Sequence, residues 1–92
     1  MYSETTKVIN KSGIHARPAS ELALKGKKYA SIITIKNLSS ADPRPINVRS
    51  IMKVLAASIS GGSSVEISAE GEDEQQAVKG IVSLFESGFL EK

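Results

Sequence analysis

The segment Ser64-Val65-Glu66-Ile67-Ser68-Ala69 alternates polar and apolar side chains without a break. This period of two predicts a strand whose odd-numbered side chains face a core and whose even-numbered side chains face water. A sheet made of such strands has one buried face and one solvated face, and helices cover the buried face. The segment therefore predicts an α+β domain, provided that the rest of the chain supplies matching strands and helices.

The residues after this strand predict a helix. Asp73 and Gln76 stand three positions apart, which is the spacing of a capping box at a helix start. Gly88 lies near the expected end of the helix. Apolar side chains between these points recur with helical spacing on one stripe, at Ala77, Val78, Ile81, Val82 and Phe85.

The residues before it predict three more strands, at 2–9, 31–36 and 46–48. Thr6 and Val8 share one face of the first strand, and Ile33 and Ile35 share one face of the second. Segment 38–45 contains two prolines among polar residues, so we expect it to form a loop.

Two further helices complete the pattern. The first is predicted from Ala16 to Gly26, with a stripe of small and apolar residues at positions 16, 19, 22, 23 and 26. Ser50 is a suitable N-cap for the second, which the pair Gly61-Gly62 is expected to end. The second helix is expected to carry Ile51, Met52, Val54, Leu55 and Ile59.

The predicted order is thus βαββαβα within one domain, residues 1–92. We expect an α+β open-faced β-sandwich, in which four mostly antiparallel strands carry three helices on one face. Ile9 and Ile32 fall on the face expected to meet water, and if adjacent they would form a small contact patch.

Composition excludes several classes of function. The net charge is +2 and aromatic residues make up 4% of the chain, too few for a surface that stacks nucleic-acid bases. One histidine and no cysteine cannot supply the usual metal or hydrolytic constellation, so we expect no metal site and no cofactor. No apolar run approaches the roughly 20 residues of a membrane span. With a polar N-terminus, this predicts a cytoplasmic protein without membrane insertion.

The segment Gly13-Ile14-His15-Ala16-Arg17-Pro18-Ala19 carries the strongest functional signal. It places the single histidine where a helix should begin, and a helix start attracts anions through its N–H groups and its dipole. Arg17 adds a forked donor for phosphate oxygens, and the small Ala16 lets a phosphate approach. We interpret His15 and Arg17 as catalytic, and Ala16 and Arg17 as phosphate-binding. The alternatives are an exposed capping histidine and a solvated arginine.

Ser50 and the residues after it have two interpretations each. Ser50 caps a helix, and a phosphate on its hydroxyl would be electrostatically favoured at that helix start. Ile51, Met52 and Leu55 lie on a helix too short to bury every apolar residue that it carries, so they either fill the core or lie partly at the surface, where methionine suits contact with several partners.

The chain resembles the HPr family of histidine-containing phosphocarriers of the bacterial sugar phosphotransferase system. Three segments carry the resemblance, namely 13–19, 49–52 and 67–74. Loop 38–45 is about four residues longer than in familiar members and is expected to lie away from His15. The resemblance implies that Enzyme I phosphorylates His15 and that sugar-specific IIA domains receive the group. It also implies phosphorylation of Ser50 by an HPr kinase/phosphorylase and binding to a transcriptional regulator. Under the same resemblance, Ile51, Met52 and Leu55 form a docking patch for the partners.

Two functions are compatible with these observations. The first is a phosphocarrier with a phosphohistidine intermediate, which takes part in phosphoryl transfer without being a stand-alone enzyme. The second is a regulatory HPr-like binding module that acts through Ser50 and the surface of the second helix. The presence of both His15 and Arg17 favours the phosphocarrier.

Overall fold

The computed structural model describes residues 1–90 and contains the predicted strands and helices in the predicted order. A short 3₁₀ turn, Gly88–Leu90, follows the last helix. The elements are β1 (Tyr2–Lys7), α1 (Ala16–Gly26), β2 (Ile32–Asn37), β3 (Ile46–Asn47), α2 (Ile51–Ala56), β4 (Ser64–Glu70) and α3 (Glu74–Glu86).

The four strands form one sheet in the order β1-β4-β2-β3, and each neighbouring pair is antiparallel. The alternation in β4 is confirmed, because Val65, Ile67 and Ala69 are buried while the even-numbered side chains are not. Helices pack on the buried face and leave the other face open. The expected α+β open-faced sandwich is therefore the observed fold.

The helix stripes of α1 and α3 supply most of the core opposite the sheet. The stripe predicted for α3 is buried in full, and Phe85 packs edge-to-face against Phe89 at a centroid distance of 4.9 Å. In α1, the predicted stripe is buried from position 19 onward. Ala16 is exposed, contrary to the prediction, because it is the first residue of the helix and lies beyond the edge of the core; Pro18 is buried instead.

Helix α2 is shorter than the sequence pattern predicts. It ends at Ala56, and Ser58 then takes a left-handed conformation with φ of 50°, which is incompatible with a continuing helix. Ile59 is buried as predicted, but it reaches the core from the connection to β4. The prediction that Gly61-Gly62 ends this helix is therefore wrong.

The capping box predicted for α3 does not form. The Asp73 side chain stands at the N-cap position but accepts no hydrogen bond from its own helix. Its carboxylate instead accepts from the backbone N–H groups of Ala30 and Ser31, both at 2.9 Å, and from the Ser31 hydroxyl at 2.5 Å. These donors lower the pKa of Asp73, the Ser31 hydroxyl most of all. Asp73 thus joins the start of α3 to the start of β2.

Ile9 and Ile32 are both exposed, as predicted, but they form no joint patch. Ile32 pairs with Glu70 at one end of β4. Ile9 follows β1, whose last residue, Lys7, pairs with Ser64 at the other end of β4. Ser64 and Glu70 are six residues apart along β4, about 20 Å at the usual rise of a strand, and Ile9 lies two residues beyond Lys7. The hydrophobic pattern could not reveal this separation, because it depends on strand pairing.

Loop 38–45 leaves the sheet at the same end as the turn that carries His15. Strands β1 and β2 both run antiparallel to β4, which lies between them, so β1 and β2 are parallel to each other. Val8 donates to the Ser63 carbonyl and Leu38 to the Ser64 carbonyl. The loop lies two strand spacings from β1, about 9.5 Å. The loop and the turn before His15 thus share one end of the sheet, two strands apart, and the separation of the loop from His15 itself stays a prediction.

Candidate functional site

Backbone hydrogen bonds fix the turn that precedes His15. Gly13 N–H donates to the Asn10 carbonyl at 3.1 Å, and the Asn10 side-chain amide donates to the Gly13 carbonyl at 2.7 Å. Ile14 N–H then donates to the Ile59 carbonyl at 2.9 Å. The buried Ile14 side chain anchors the same turn in the core. The residue before His15 is thus held on both its backbone and its side chain.

Gly13 allows this turn to approach the segment that follows α2. Its φ is +67°, and a Cβ atom added to it would lie 2.4 Å from the Ile59 carbonyl oxygen. Glycine is the residue that takes such a conformation without steric cost. The sequence motif therefore begins with glycine for a packing reason as well as a conformational one.

His15 stands at the N-cap of α1 with an extended backbone, φ −97° and ψ −161°. Its carbonyl accepts from Ala19 N–H at 3.0 Å and so begins the helix, while its ring does not cap the helix. The residue is exposed. Pro18 lies in the first turn, where a proline leaves no hydrogen bond of the helix unmade. This arrangement presents the imidazole to solvent at the positive end of the helix dipole.

Among residues 1–90, two groups that hold the Arg17 guanidinium are the Glu21 carboxylate and the Phe89 carbonyl. Nη1 donates to Glu21 Oε1 at 2.6 Å, and Nη2 donates to the Phe89 carbonyl at 2.7 Å. Sequence reasoning did not identify Glu21, although its i, i+4 spacing from Arg17 is the signal for such a pair. The Phe89 contact spans 72 residues and depends on a left-handed φ of 57° at Phe89, for which the sequence carries no signal.

The start of α1 is electrostatically suited to an anion. Its first turn contains no acidic residue. Ala16 is the first residue of the helix, so no carbonyl of the helix accepts from its N–H group, and its small side chain is exposed. His15, Ala16 and Arg17 are thus brought together at one helix end, as the sequence motif predicts.

Ser50 lies at the N-cap position of α2, but its hydroxyl makes no capping hydrogen bond, so this part of the prediction is wrong. Its backbone carbonyl begins the helix by accepting from Val54 N–H at 3.0 Å. Met52 and Ile51 are exposed, at 77% and 37%. Leu55 is half-buried and packs against the core, so only part of its side chain reaches the surface.

Arg49 fixes the position of α2 relative to α1, a role that sequence reasoning did not identify. Its guanidinium donates to the Tyr29 carbonyl at 2.9 Å and to the Gly26 carbonyl at 3.4 Å. These carbonyls belong to the end of α1 and the residues that follow it, where a cation is favoured by the helix dipole. The contact places Ser50 and the exposed side of α2 next to α1.

Within residues 1–90, no group of histidine, cysteine and carboxylate side chains has the arrangement of a metal site. The helices in this range are also too short and too polar for any of them to cross a membrane.

The fold and the site together define a small carrier domain with an exposed histidine at a helix start, next to an arginine. Residues 2–87 match the family model described as the PTS HPr component phosphorylation site. The chain is 35% identical to the phosphocarrier protein HPr of Treponema pallidum over the full length of both. It also resembles the crystal structure of HPr from Thermoanaerobacter tengcongensis, with a TM-score of 0.88 and 38% identity over 100% of this chain and 99% of that chain.

A third relative is longer. The chain is 39% identical over 84 residues to the multiphosphoryl transfer protein of Salmonella typhimurium, covering 91% of this chain and 22% of that protein. The chain belongs to the HPr family, and its function is that of a phosphocarrier of the phosphotransferase system.

Proposed function

We propose that His15 is the residue that carries the phosphoryl group. The observation that carries this proposal is its position, since it is the one imidazole of the chain and lies exposed at the N-cap of α1. A ring nitrogen of neutral imidazole attacks phosphorus with its lone pair, and a new P–N bond forms while the bond to the donor breaks. In the next transfer, the acceptor attacks phosphorus and the electron pair of this P–N bond returns to His15.

Arg17 and Ala16 support the transferring group in this proposal. The guanidinium has the planar fork that matches phosphate oxygens, and it lies in the first turn after His15. The Ala16 N–H group at the helix start adds a donor, and the dipole of α1 favours the added negative charge. Because the phosphoryl transition state spreads charge over its oxygens, these donors stabilise the transfer as well as the product.

The proposal is tested by incubating the protein with Enzyme I and phosphoenolpyruvate and measuring its intact mass. We expect the mass to increase by one phosphoryl group, which is labile in acid and stable in alkali. His15→Ala should show no increase while remaining folded, because the exposed ring makes no capping bond. Phosphorylation of this variant by Enzyme I would refute the assignment.

The exposed side of α2 is the surface that we propose for the partners. We propose that Enzyme I and sugar-specific IIA domains contact the exposed Ile51 and Met52, together with the accessible part of Leu55. Apolar side chains exposed on a short helix are typical of an interface centre. The segment after α2 reaches the turn before His15, where the Ile59 carbonyl accepts from Ile14 N–H at 2.9 Å. Such partners would place the protein in the cytoplasm.

Ser50 supports a second, regulatory function on the same surface. Its hydroxyl makes no cap bond, so an HPr kinase/phosphorylase could modify it without breaking a hydrogen bond that begins α2. A phosphate there would lie next to the proposed docking residues, where it would hinder Enzyme I and could be read by a transcriptional regulator. We expect Ser50→Asp to raise the KM for this carrier in the Enzyme I assay. Unchanged kinetics would contradict the regulatory role.

A further inference from the structure

The salt bridge between Arg17 and Glu21 involves the cation that a phosphoryl group on His15 would need. Arg17 Nη1 lies 2.6 Å from Glu21 Oε1, with 45% and 29% of the two side chains exposed. Within the described residues, the second carboxylate oxygen, Oε2, is buried and has no hydrogen-bond partner. Glu21 is thus partly desolvated, and its charge is balanced by the Arg17 guanidinium.

A phosphoryl group at His15 changes this balance. A guanidinium grips phosphate oxygens best with two parallel N–H groups, but Nη1 and Nη2 of Arg17 are engaged by Glu21 and the Phe89 carbonyl. If Arg17 leaves Glu21, a partly buried carboxylate loses its cation. If Arg17 keeps Glu21 and grips the phosphate as well, the carboxylate stays close to a dianion of the same sign. Either outcome raises the free energy of the phosphorylated state.

We propose that Glu21 is a positioning residue that competes with the phosphoryl group for Arg17 and thereby weakens the phosphohistidine. The inference rests on the proposed role of His15 as the phosphoryl acceptor. A carrier has to release the group as readily as it receives it, so a counter-ion that returns to Arg17 on dephosphorylation favours onward transfer. The i, i+4 spacing on α1 keeps Glu21 within reach of Arg17 in both states.

The experiment compares the parent protein with Glu21→Gln, which removes the charge and keeps the shape. Each is equilibrated with Enzyme I, phosphoenolpyruvate and pyruvate, and intact mass gives the phosphorylated fraction. We expect the equilibrium constant for phosphorylation to rise about two-fold, within the roughly five-fold limit set by ion pairs of this exposure. The difference should shrink at about 1 M salt, where charges are screened over roughly 3 Å. A merely structural role would not produce this salt dependence.

Two further variants act as controls. Glu66→Gln makes the same chemical change on the open face of the sheet, where Glu66 lies 3.8 Å from Lys36, and it should leave the constant unchanged. Glu21→Asp keeps the charge, so its equilibrium constant for phosphorylation should be closer to that of the parent than the constant of Glu21→Gln is.

The possible results separate this inference from the proposed function. A parent protein that is not phosphorylated on His15 would refute the proposed function. If the parent is phosphorylated with an equilibrium constant equal to or higher than that of Glu21→Gln, the proposed role of Glu21 is overturned and the proposed function is not. An equal rise for Glu66→Gln would also overturn it, since the effect would then be one of net charge.

Discussion

Helices α1 and α3 both begin at a polar residue, His15 and Asp73, and neither side chain caps its own helix. The Asp73 carboxylate accepts three hydrogen bonds from Ala30 and Ser31 and so ties α3 to the sheet. At His15, backbone hydrogen bonds of the preceding turn hold the helix start in place, and the ring is exposed. At one helix start the side chain ties the helix to the sheet, while at the other the backbone of the preceding turn holds the helix start and the side chain is exposed.

The largest expected effect comes from breaking the backbone support of His15 with Gly13→Ala. The added Cβ would lie 2.4 Å from the Ile59 carbonyl oxygen in a left-handed conformation. Backbone strain and overpacking together should lower the free energy of unfolding by about 3 kcal/mol. Urea denaturation measures the loss, and Enzyme I should phosphorylate the remaining folded protein more slowly because the turn has to move.

Gly62→Ala is the matched control for this substitution. Gly62 also has a positive φ, +89°, but an added Cβ would meet nothing within 4 Å. Only the conformational cost applies, so we expect a loss of about 1 kcal/mol. Equal losses for the two variants would show that close packing against Ile59 does not fix the His15 turn.

The second-largest effect is expected from Asp73→Asn, at the start of α3. Asparagine offers one carbonyl oxygen where Asp73 uses two oxygens, so the Ala30 N–H or the two Ser31 donors lose their acceptor. We expect Tm to fall by about 5 °C at neutral pH, less than for Gly13→Ala. Phosphorylation of His15 should be unchanged, in contrast to the Gly13 variant.

The pH dependence of this difference has a definite sign. Hydrogen bonds lower the pKa of Asp73 from its ordinary value of 3.8. The contribution of Asp73 to the free energy of unfolding is therefore complete above pH 3.8, and it is lost as the pH falls through the lower pKa of the folded state. The Tm difference between the parent and Asp73→Asn should therefore narrow below pH 3.8. A constant difference would show that the charge of Asp73 contributes nothing. The Tyr2 hydroxyl also lowers the pKa of Glu4, and both proteins share that acid sensitivity.

The contrast between the two helix starts also shows what the sequence could predict. Periodicity identified β4 and the α3 stripe, because burial repeats with the period of each element. It could not reveal the role of Asp73, whose partners lie 42 and 43 residues away and compete successfully with its own helix. For the same reason the motif at 13–19 predicted His15 and Arg17 as neighbours but not the contact of Arg17 with the Phe89 carbonyl. The contacts of Asp73 and Arg17 both depend on how helices and strands pack after they have formed.

The smallest expected effect comes from Ser50→Ala, at the start of α2. A serine that caps its helix stabilises the fold by about 1 kcal/mol, and its replacement by alanine loses that amount. The Ser50 hydroxyl makes no such bond, and its backbone carbonyl, which begins α2, is retained in the variant. We therefore expect the free energy of unfolding to change by less than about 0.5 kcal/mol, measured by urea denaturation beside Gly13→Ala and Asp73→Asn.

A loss near about 1 kcal/mol for Ser50→Ala would mean that the hydroxyl caps α2 in solution, and α2 would then resemble an ordinary capped helix. A negligible loss would instead leave Ser50 as a hydroxyl that the fold does not need, which is the condition for modifying it without unfolding α2.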